Sequence, residues 1–327
     1  MPLELSRREW LKTTGSIALA GMLGSAAANA QDAPAARPAR RNRALRLAHL
    51  TDIHVQPERR ADQGMIACIK HMMSLKDRPE VVLTGGDLVM DSFDATFDRT
   101  KTQWDIFTRV LKDECGVPIE HCLGNHDIWG WNKSKSGATG EEPQYGKKWA
   151  LELLGLAKPY RSFDRAGWHF IVLDSVAPGP KGGYIGKLDD EQMEWLKADL
   201  AKTPEKTPTL VLSHIPILAA CAYFDTQREE ETSGEWHVTP AEMHIDCRKL
   251  VELFGKHPNV KLCLSGHIHQ IDRVEFNGVT YICDGAVCGA WWRGKNQGFP
   301  EGYGVLDLFD DGTFTHDYMT YGWIAAS

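Results

Sequence analysis

The chain contains no Cys-x-x-Cys pair, no internal repeat, no apolar run long enough to span a bilayer and no excess of basic residues. Without Cys-x-x-Cys spacing there is no structural zinc knuckle, and its eight cysteines need another reading. A net charge of −7 offers no basic surface for sequence-independent nucleic-acid binding, so no stable nucleic-acid partner is expected. With no repeat, the 327 residues read as one α/β unit, and 43% hydrophobic against 25% charged residues is an ordinary globular balance.

What is present is a series of five short polar segments in order along the chain. They are Asp52-Ile53-His54, Gly86-Asp87, Gly124-Asn125-His126-Asp127, His214 within Leu-Ser-His-Ile-Pro, and Gly266-His267-Ile268-His269. Borderline first-row metals accept imidazole nitrogen and carboxylate or amide oxygen, and only a carboxylate can bridge two ions with two oxygens. Asp87 is therefore the expected bridge. A glycine beside each of three segments lets backbone approach an ion or a phosphate closely. An apolar run precedes each segment: 45–50, 81–83, 117–123, 210–212 and 260–264. Such runs read as buried strands, which puts each segment at a strand's carboxyl end, where layered α/β folds bind ligands.

The order Asp-x-His, Gly-Asp, Gly-Asn-His-Asp, His, Gly-His-x-His resembles the calcineurin-like metallophosphoesterase superfamily over about residues 45–310. The resemblance implies a four-layer α/β sandwich of two mixed sheets between outer helices. It implies two divalent transition-metal ions, Mn, Fe or Zn. Asp52, His54, Asp87 and His269 would hold one, and Asp87, Asn125, His214 and His267 the other. His126 would face the substrate without ligating metal and donate a proton to the leaving alkoxide, oriented by Asp127 or Asp91. The implied reaction is hydrolysis of a small-molecule phosphoester, in which the ions acidify a water and neutralise phosphoryl charge.

Departures from relatives narrow this reading. Met90 stands where purple acid phosphatases carry a ligating Tyr, and Met90-Asp91-Ser92 does not match the Asp-Arg-Gly of Ser/Thr phosphatases. The nearest look is to class III cyclic-nucleotide phosphodiesterases and related bacterial phosphoesterases, through Leu173 to Ser175 and the segment 188–200 with Gln192 and Trp195. A phosphodiester is thus the expected substrate. A phosphomonoesterase is the alternative, and a non-catalytic scaffold is disfavoured by retention of every expected ligand and His126.

The amino terminus resembles a twin-arginine export signal: Arg7-Arg8 precedes a weakly apolar stretch and the small-residue site Ala28-Asn29-Ala30. Residues 1–30 read as signal peptide, 31–43 as a disordered Pro/Ala/Arg lead-in and 44–327 as the catalytic domain. The twin-arginine translocase is the expected export partner, and the periplasm or exterior the destination. No cysteine follows the cleavage site, so no lipid anchor is expected. An oxidising destination suggests disulfides, yet Cys122 and Cys263 read as buried hydrophobes; Cys283 and Cys288 are the pair expected to lie closest.

Apolar spacings of three and four predict helices over 65–76, 96–112, 145–154, 189–201 and 246–256. Residues 278–284 and 303–309 are expected to extend the second sheet. For substrate contacts the sequence offers Trp129 and Trp131 behind the Gly-Asn-His-Asp turn, and Trp292 with Arg293 as an aromatic beside a cation. The stretch 219–244 reads as a lid carrying Tyr223, Phe224 and Trp236. The other histidines, among them His49, His169 and His316, have no motif context and read as structural or exposed.

Overall fold

In a computed structural model, residues 41–226 and 237–325 are described. The expected signal peptide, nearly all of the lead-in and Trp236 lie outside them. The strands run β1 (Arg43–Leu50), β2 (Val81–Thr84), β3 (Ile119–His121), β4 (Arg161–Arg165), β5 (Trp168–Val172), β6 (Val176–Pro178), β7 (Tyr184–Gly186), β8 (Thr209–Leu212), β9 (Val260–Ser265), β10 (Asp272–Phe276), β11 (Val279–Cys283), β12 (Gly302–Phe309) and β13 (Phe314–Thr320). The helices are α1 (Ala61–Ser74), α2 (Phe97–Glu114), α3 (Lys133–Ser136), α4 (Lys148–Leu153), α5 (Asp190–Lys202), α6 (Cys221–Thr226) and α7 (Cys247–Gly255).

Two mixed sheets carry the fold. The first has the order β13-β12-β1-β2-β3 and the second β10-β11-β9-β8-β5-β4. Strands β1, β2 and β3 run parallel, as do β5, β8, β9 and β11, while antiparallel strands close the edges. Alternation along the strands sorts side chains into layers. Leu45 and Leu47 meet Phe170, Leu210, Leu262 and Leu306 in a core between the sheets. Ala48 and Leu50 turn the other way, onto Met65, Ile69 and Phe107 of α1 and α2. On the far side, Ile171, Val211 and Cys263 pack against Leu196 and Leu200 of α5 and Leu250 and Phe254 of α7. Helix, sheet, sheet, helix is the expected four-layer sandwich.

Three expectations are corrected. Residues 303–309 do not extend the second sheet: β12 pairs antiparallel with β1 in the first, because its inward-facing Leu306 and Leu308 complete the inter-sheet core beside Leu45 and Leu47. The lead-in ends earlier than 43, since the Asn42 N–H donates to Asp310 Oδ1 (3.0 Å) and Arg43 is in register with Phe309. All eight cysteines are free, and the partner of Cys283 is Cys221, not Cys288. Cys283 ends β11 with its thiol on the Gly266 carbonyl, whereas Cys288 lies past the turn beside His269. Among the described residues no helix is long and apolar enough to cross a membrane.

Candidate active site

Five of the parallel strands deliver the five segments to one rim. Asp52 lies two residues past β1, Asp87 three past β2, His214 two past β8 and His267 two past β9, while Asn125 opens a 3₁₀ turn after β3. Backbone bonds sew the turns together: the Asp52 N–H donates to Gly86 O (3.0 Å), the His54 N–H to Asp87 O (2.9 Å) and the Gly266 N–H to His214 O (3.1 Å). Asp52, His54, Asp87, His267 and His269 all adopt left-handed backbone, with φ between 44° and 72°. Such residues cost about 1–3 kcal/mol each and persist where the surroundings over-determine them. His267 and His269 both reach the cluster from this left-handed backbone. Two glycines are required by close approach. A Cβ on Gly124 would run into Asp87 Oδ1, and one on Gly266 into Thr51 Oγ1 and Asp52 Oδ2.

The side chains gather around Asp87. Its Oδ2 lies 3.2 Å from His214 Nε2 and 3.5 Å from His54 Nε2, while Oδ1 accepts the His126 N–H at 2.8 Å. On one side His54 Nε2 and His269 Nε2 are 3.1 Å apart, with Asp52 Oδ1 at 3.4 Å from the latter. On the other, His214 Nε2 faces both His267 Nδ1 and Asn125 Oδ1 at 3.2 Å.

This arrangement fits a pair of cations. His214 and His269 each give Nδ1 to a backbone carbonyl, Gly85 O at 2.8 Å and Gly289 O at 2.6 Å. A carbonyl only accepts, so the proton sits on Nδ1 and the Nε2 lone pair points into the cluster. There the lone pairs meet carboxylate, amide and imidazole acceptors. Acceptor facing acceptor at such distances is repulsive unless positive charge lies between. Asp52 Oδ1, His54 Nδ1 and His267 Nε2 are also buried without a hydrogen-bond partner. The titration shifts carry the same signature. Burial opposes the His214 cation, yet Asp87 pushes its pKa up to about 9, and His269 rises well above the ordinary value against burial through Cys288 and Asp52. Burial and like charges hold His54 and His267 down at about 3. Asp87 is drawn well below the carboxylate range, against its burial, by His214, His126 and His54.

His126 stands half-buried beside this cluster, its ring edge-on to His54 at 4.7 Å, and lines the cavity. Neither expected orienting partner reaches its ring. Asp127 is consumed by the backbone, accepting from the Leu88 N–H and Gly124 N–H at 2.8 Å each, and Asp91 accepts the Asp94 N–H. Both are short side chains whose turns need those bonds more than the imidazole does.

The cavity over the cluster holds about 430 Å³. Its outer wall is Tyr184, Asp225, Glu242, Trp291, Asn296 and Gln297, and none of its described lining residues is Lys or Arg. Burial and the neighbouring Asp225 raise Glu242 to about 7. The four aromatic and cationic residues expected here are elsewhere. Trp129 is buried against Phe97 and Trp149, and its indole N–H donates to Ala95 O. Trp131 packs on Phe93 under the Lys147 ammonium. Trp292 is fully buried, donating its indole N–H to His54 O at 3.0 Å, and Arg293 is exposed outside the cavity. Its neighbour Trp291 faces the site instead, 4.8 Å from the His269 ring. Two adjacent Trp residues in a turn must diverge, but which one turns inward is set by packing of the other against Gly64, 228 positions away in the chain. From the expected lid, Asp225 and Glu242 reach the cavity and the exposed Phe224 does not.

A calcineurin-like phosphoesterase family model matches residues 45–271. The chain belongs to that family. It is a metallophosphoesterase, a hydrolase of phosphate esters that works with a dinuclear metal centre. Among curated relatives, a 3',5'-cyclic adenosine monophosphate phosphodiesterase of Escherichia coli is 27% identical over 70% of this chain and 72% of its own length. A 3',5'-cyclic-nucleotide phosphodiesterase of Nostoc is 24% identical over 83% and 90%. A probable glycerophosphodiester phosphodiesterase of Arcobacter nitrofigilis is 26% identical over 67% of each. The fold is shared with a dimetal phosphatase from Danio rerio, at 14% identity and a TM-score of 0.56 over 86% of this chain and all of the other.

Proposed function

We propose that this metallophosphoesterase acts on phosphodiesters, holding one ion with Asp52, His54, Asp87 and His269 and the other with Asp87, Asn125, His214 and His267. The observation that carries the reading is the ring of inward lone pairs around Asp87, with Nε2 atoms held in that tautomer by Gly85 and Gly289 carbonyls. Ions bound there would acidify a water and polarise the phosphoryl oxygens. The remaining work falls to the protein. Asp87 spans both halves of the cluster through one carboxylate. Its other oxygen holds the His126 backbone, which fixes where that imidazole enters the cavity. From there His126 gives a proton to the leaving alkoxide. Asp52 is clamped by the Thr51 hydroxyl at 2.6 Å and the His267 N–H at 2.9 Å, so its free Oδ1 points inward.

The diester preference draws support from the names of the relatives and from the cavity wall. A monoester dianion asks for cationic side chains, and the described wall offers carboxylates and amides. A bis-aryl phosphate and a mono-aryl phosphate, assayed on a sample of measured metal content, test this. Faster turnover of the diester supports it; a preference for the monoester reverses it. Mn, Fe and Zn all suit these donors, so the same measurement decides the metal. We further propose export of the folded protein through the twin-arginine route to the periplasm or exterior, on the strength of Arg7-Arg8 and Ala28-Asn29-Ala30. Export unaffected by Arg7→Lys with Arg8→Lys would contradict this.

A further inference from the structure

The imidazoles in the cluster are not fixed alike. His214 and His269 anchor Nδ1 on rigid backbone and turn Nε2 inward. His267 is reversed: Nδ1 faces the cluster, 3.2 Å from His214 Nε2, and Nε2 points out. That outer nitrogen is buried and has no hydrogen-bond partner. For Nδ1 to offer a lone pair, Nε2 must carry the proton, and that N–H needs an acceptor. The carboxylate of Glu242 stands opposite, with Oε2 at 3.6 Å, while Tyr184 packs edge-on against the ring at 5.9 Å.

We propose that Glu242 is the positioning residue for His267, accepting its Nε2–H and holding Nδ1 toward Asp87, and that it thereby sets how tightly the Asn125–His214–His267 corner retains its metal. This rests on the two-metal reading above. A contraction of roughly 0.8 Å brings the pair to charge-assisted hydrogen-bond length. Carboxylate–imidazole–metal relays fix the tautomer, and raise the basicity, of the ligating nitrogen. The two corners then differ in kind. His269 is held by a backbone carbonyl, and the carbonyl of His54 by the buried Trp292 indole. His267 depends on a side chain from the stretch between β8 and α7, a segment whose Glu242 also forms cavity wall. The Asn125–His214–His267 corner is therefore the one that empties first.

Titrating metal-free protein with Mn²⁺ by calorimetry tests this without reference to activity. Wild type should take up two equivalents. Glu242→Ala should leave the first unchanged and weaken the second about 10- to 100-fold, the usual cost of losing an outer-shell partner. Glu242→Gln, whose amide oxygen still accepts, should fall between and serves where the alanine variant does not fold. Asp225→Asn removes a neighbouring cavity charge that opposes ionisation of Glu242, and should leave the first equivalent unchanged and the second no weaker than wild type. Wild-type affinity for the second ion in both Glu242 variants, equal weakening of both ions, or the same loss in Asp225→Asn would each overturn the assignment. A wild type that binds no second ion overturns the two-metal reading itself.

Discussion

Replacing Asp87 by Asn isolates one charge at the centre of the site. Asp87 sits at φ 51°, a left-handed conformation that Asn tolerates nearly as well as Asp, so the turn after β2 should survive. The amide is also close to the carboxylate in size, which spares the contact with Gly124. What changes is charge: Oδ2 lies within 3.5 Å of imidazoles from both halves of the cluster, and Oδ1 takes the His126 N–H. Outer-shell changes alone cost about 10- to 100-fold in metal affinity, so losing a bridging carboxylate should exceed about 100-fold at each corner. A neutral acceptor also weakens the His126 backbone bond, since hydrogen bonds to charged groups contribute about 1.5–3 kcal/mol against about 1 for neutral pairs. Expected are fewer than one metal per chain after dialysis and loss of nearly all diesterase activity, with the melting temperature of the metal-free protein lowered at neutral pH. The drop follows because His214, His126 and His54 favour the Asp87 charge by more than burial opposes it, and that stabilisation is lost with the charge. Elemental analysis, a bis-aryl phosphate assay and thermal melting on one sample measure all three. Two retained metals with near wild-type turnover would refute the bridging role.

His126→Ala should keep both metals, because the imidazole stands beside the cluster, and should lose about 10²- to 10⁴-fold with poor leaving groups but little with nitrophenolate. Equal losses across leaving groups would argue against acid catalysis. Away from the site, fully buried Asp284 lies between His49 Nδ1 at 2.6 Å and His316 Nε2 at 2.8 Å. Asp284→Ala should cost about 3–5 kcal/mol in urea unfolding, since a buried partner is left uncompensated. The His316 pKa is raised by Asp284 against burial, so its contribution to stability is whole below the unfolded histidine pKa and lost as pH rises through the higher folded value. Asp284 is held below the carboxylate range, against burial, by His316 and His49, so its contribution fades as pH falls toward that depressed value. Melting between pH 5 and 9 should therefore decline on the alkaline side, and His316→Gln should flatten that decline.

β2 and β8 were readable because buried parallel strands are nearly continuous apolar runs, whereas β1, β3 and β9 carry polar residues such as Arg46, Glu120 and Lys261 and were legible only by their remaining apolar positions. The ligands themselves were readable because each follows its strand at once. The edge strand β12 was assigned to the wrong sheet because its residues are equally apolar beside either. Pairing with β1 depends on a partner some 260 residues earlier in the chain, and nothing local encodes it. Cavity residues were the least legible. Asp225, Glu242 and Gln297 carry no spacing relative to any motif, and Trp291 differs from Trp292 only in which way the turn throws its side chain.

The sequence alone determined which candidate donor residues this protein carries and in what order, because metal chemistry restricts residue types and strand ends restrict their places. Tertiary structure decided which nitrogen of each imidazole points inward, which aromatic faces the cavity and which acid stands behind His267. Those choices turn on carbonyls, glycines and side chains that meet only when two sheets close over a common core.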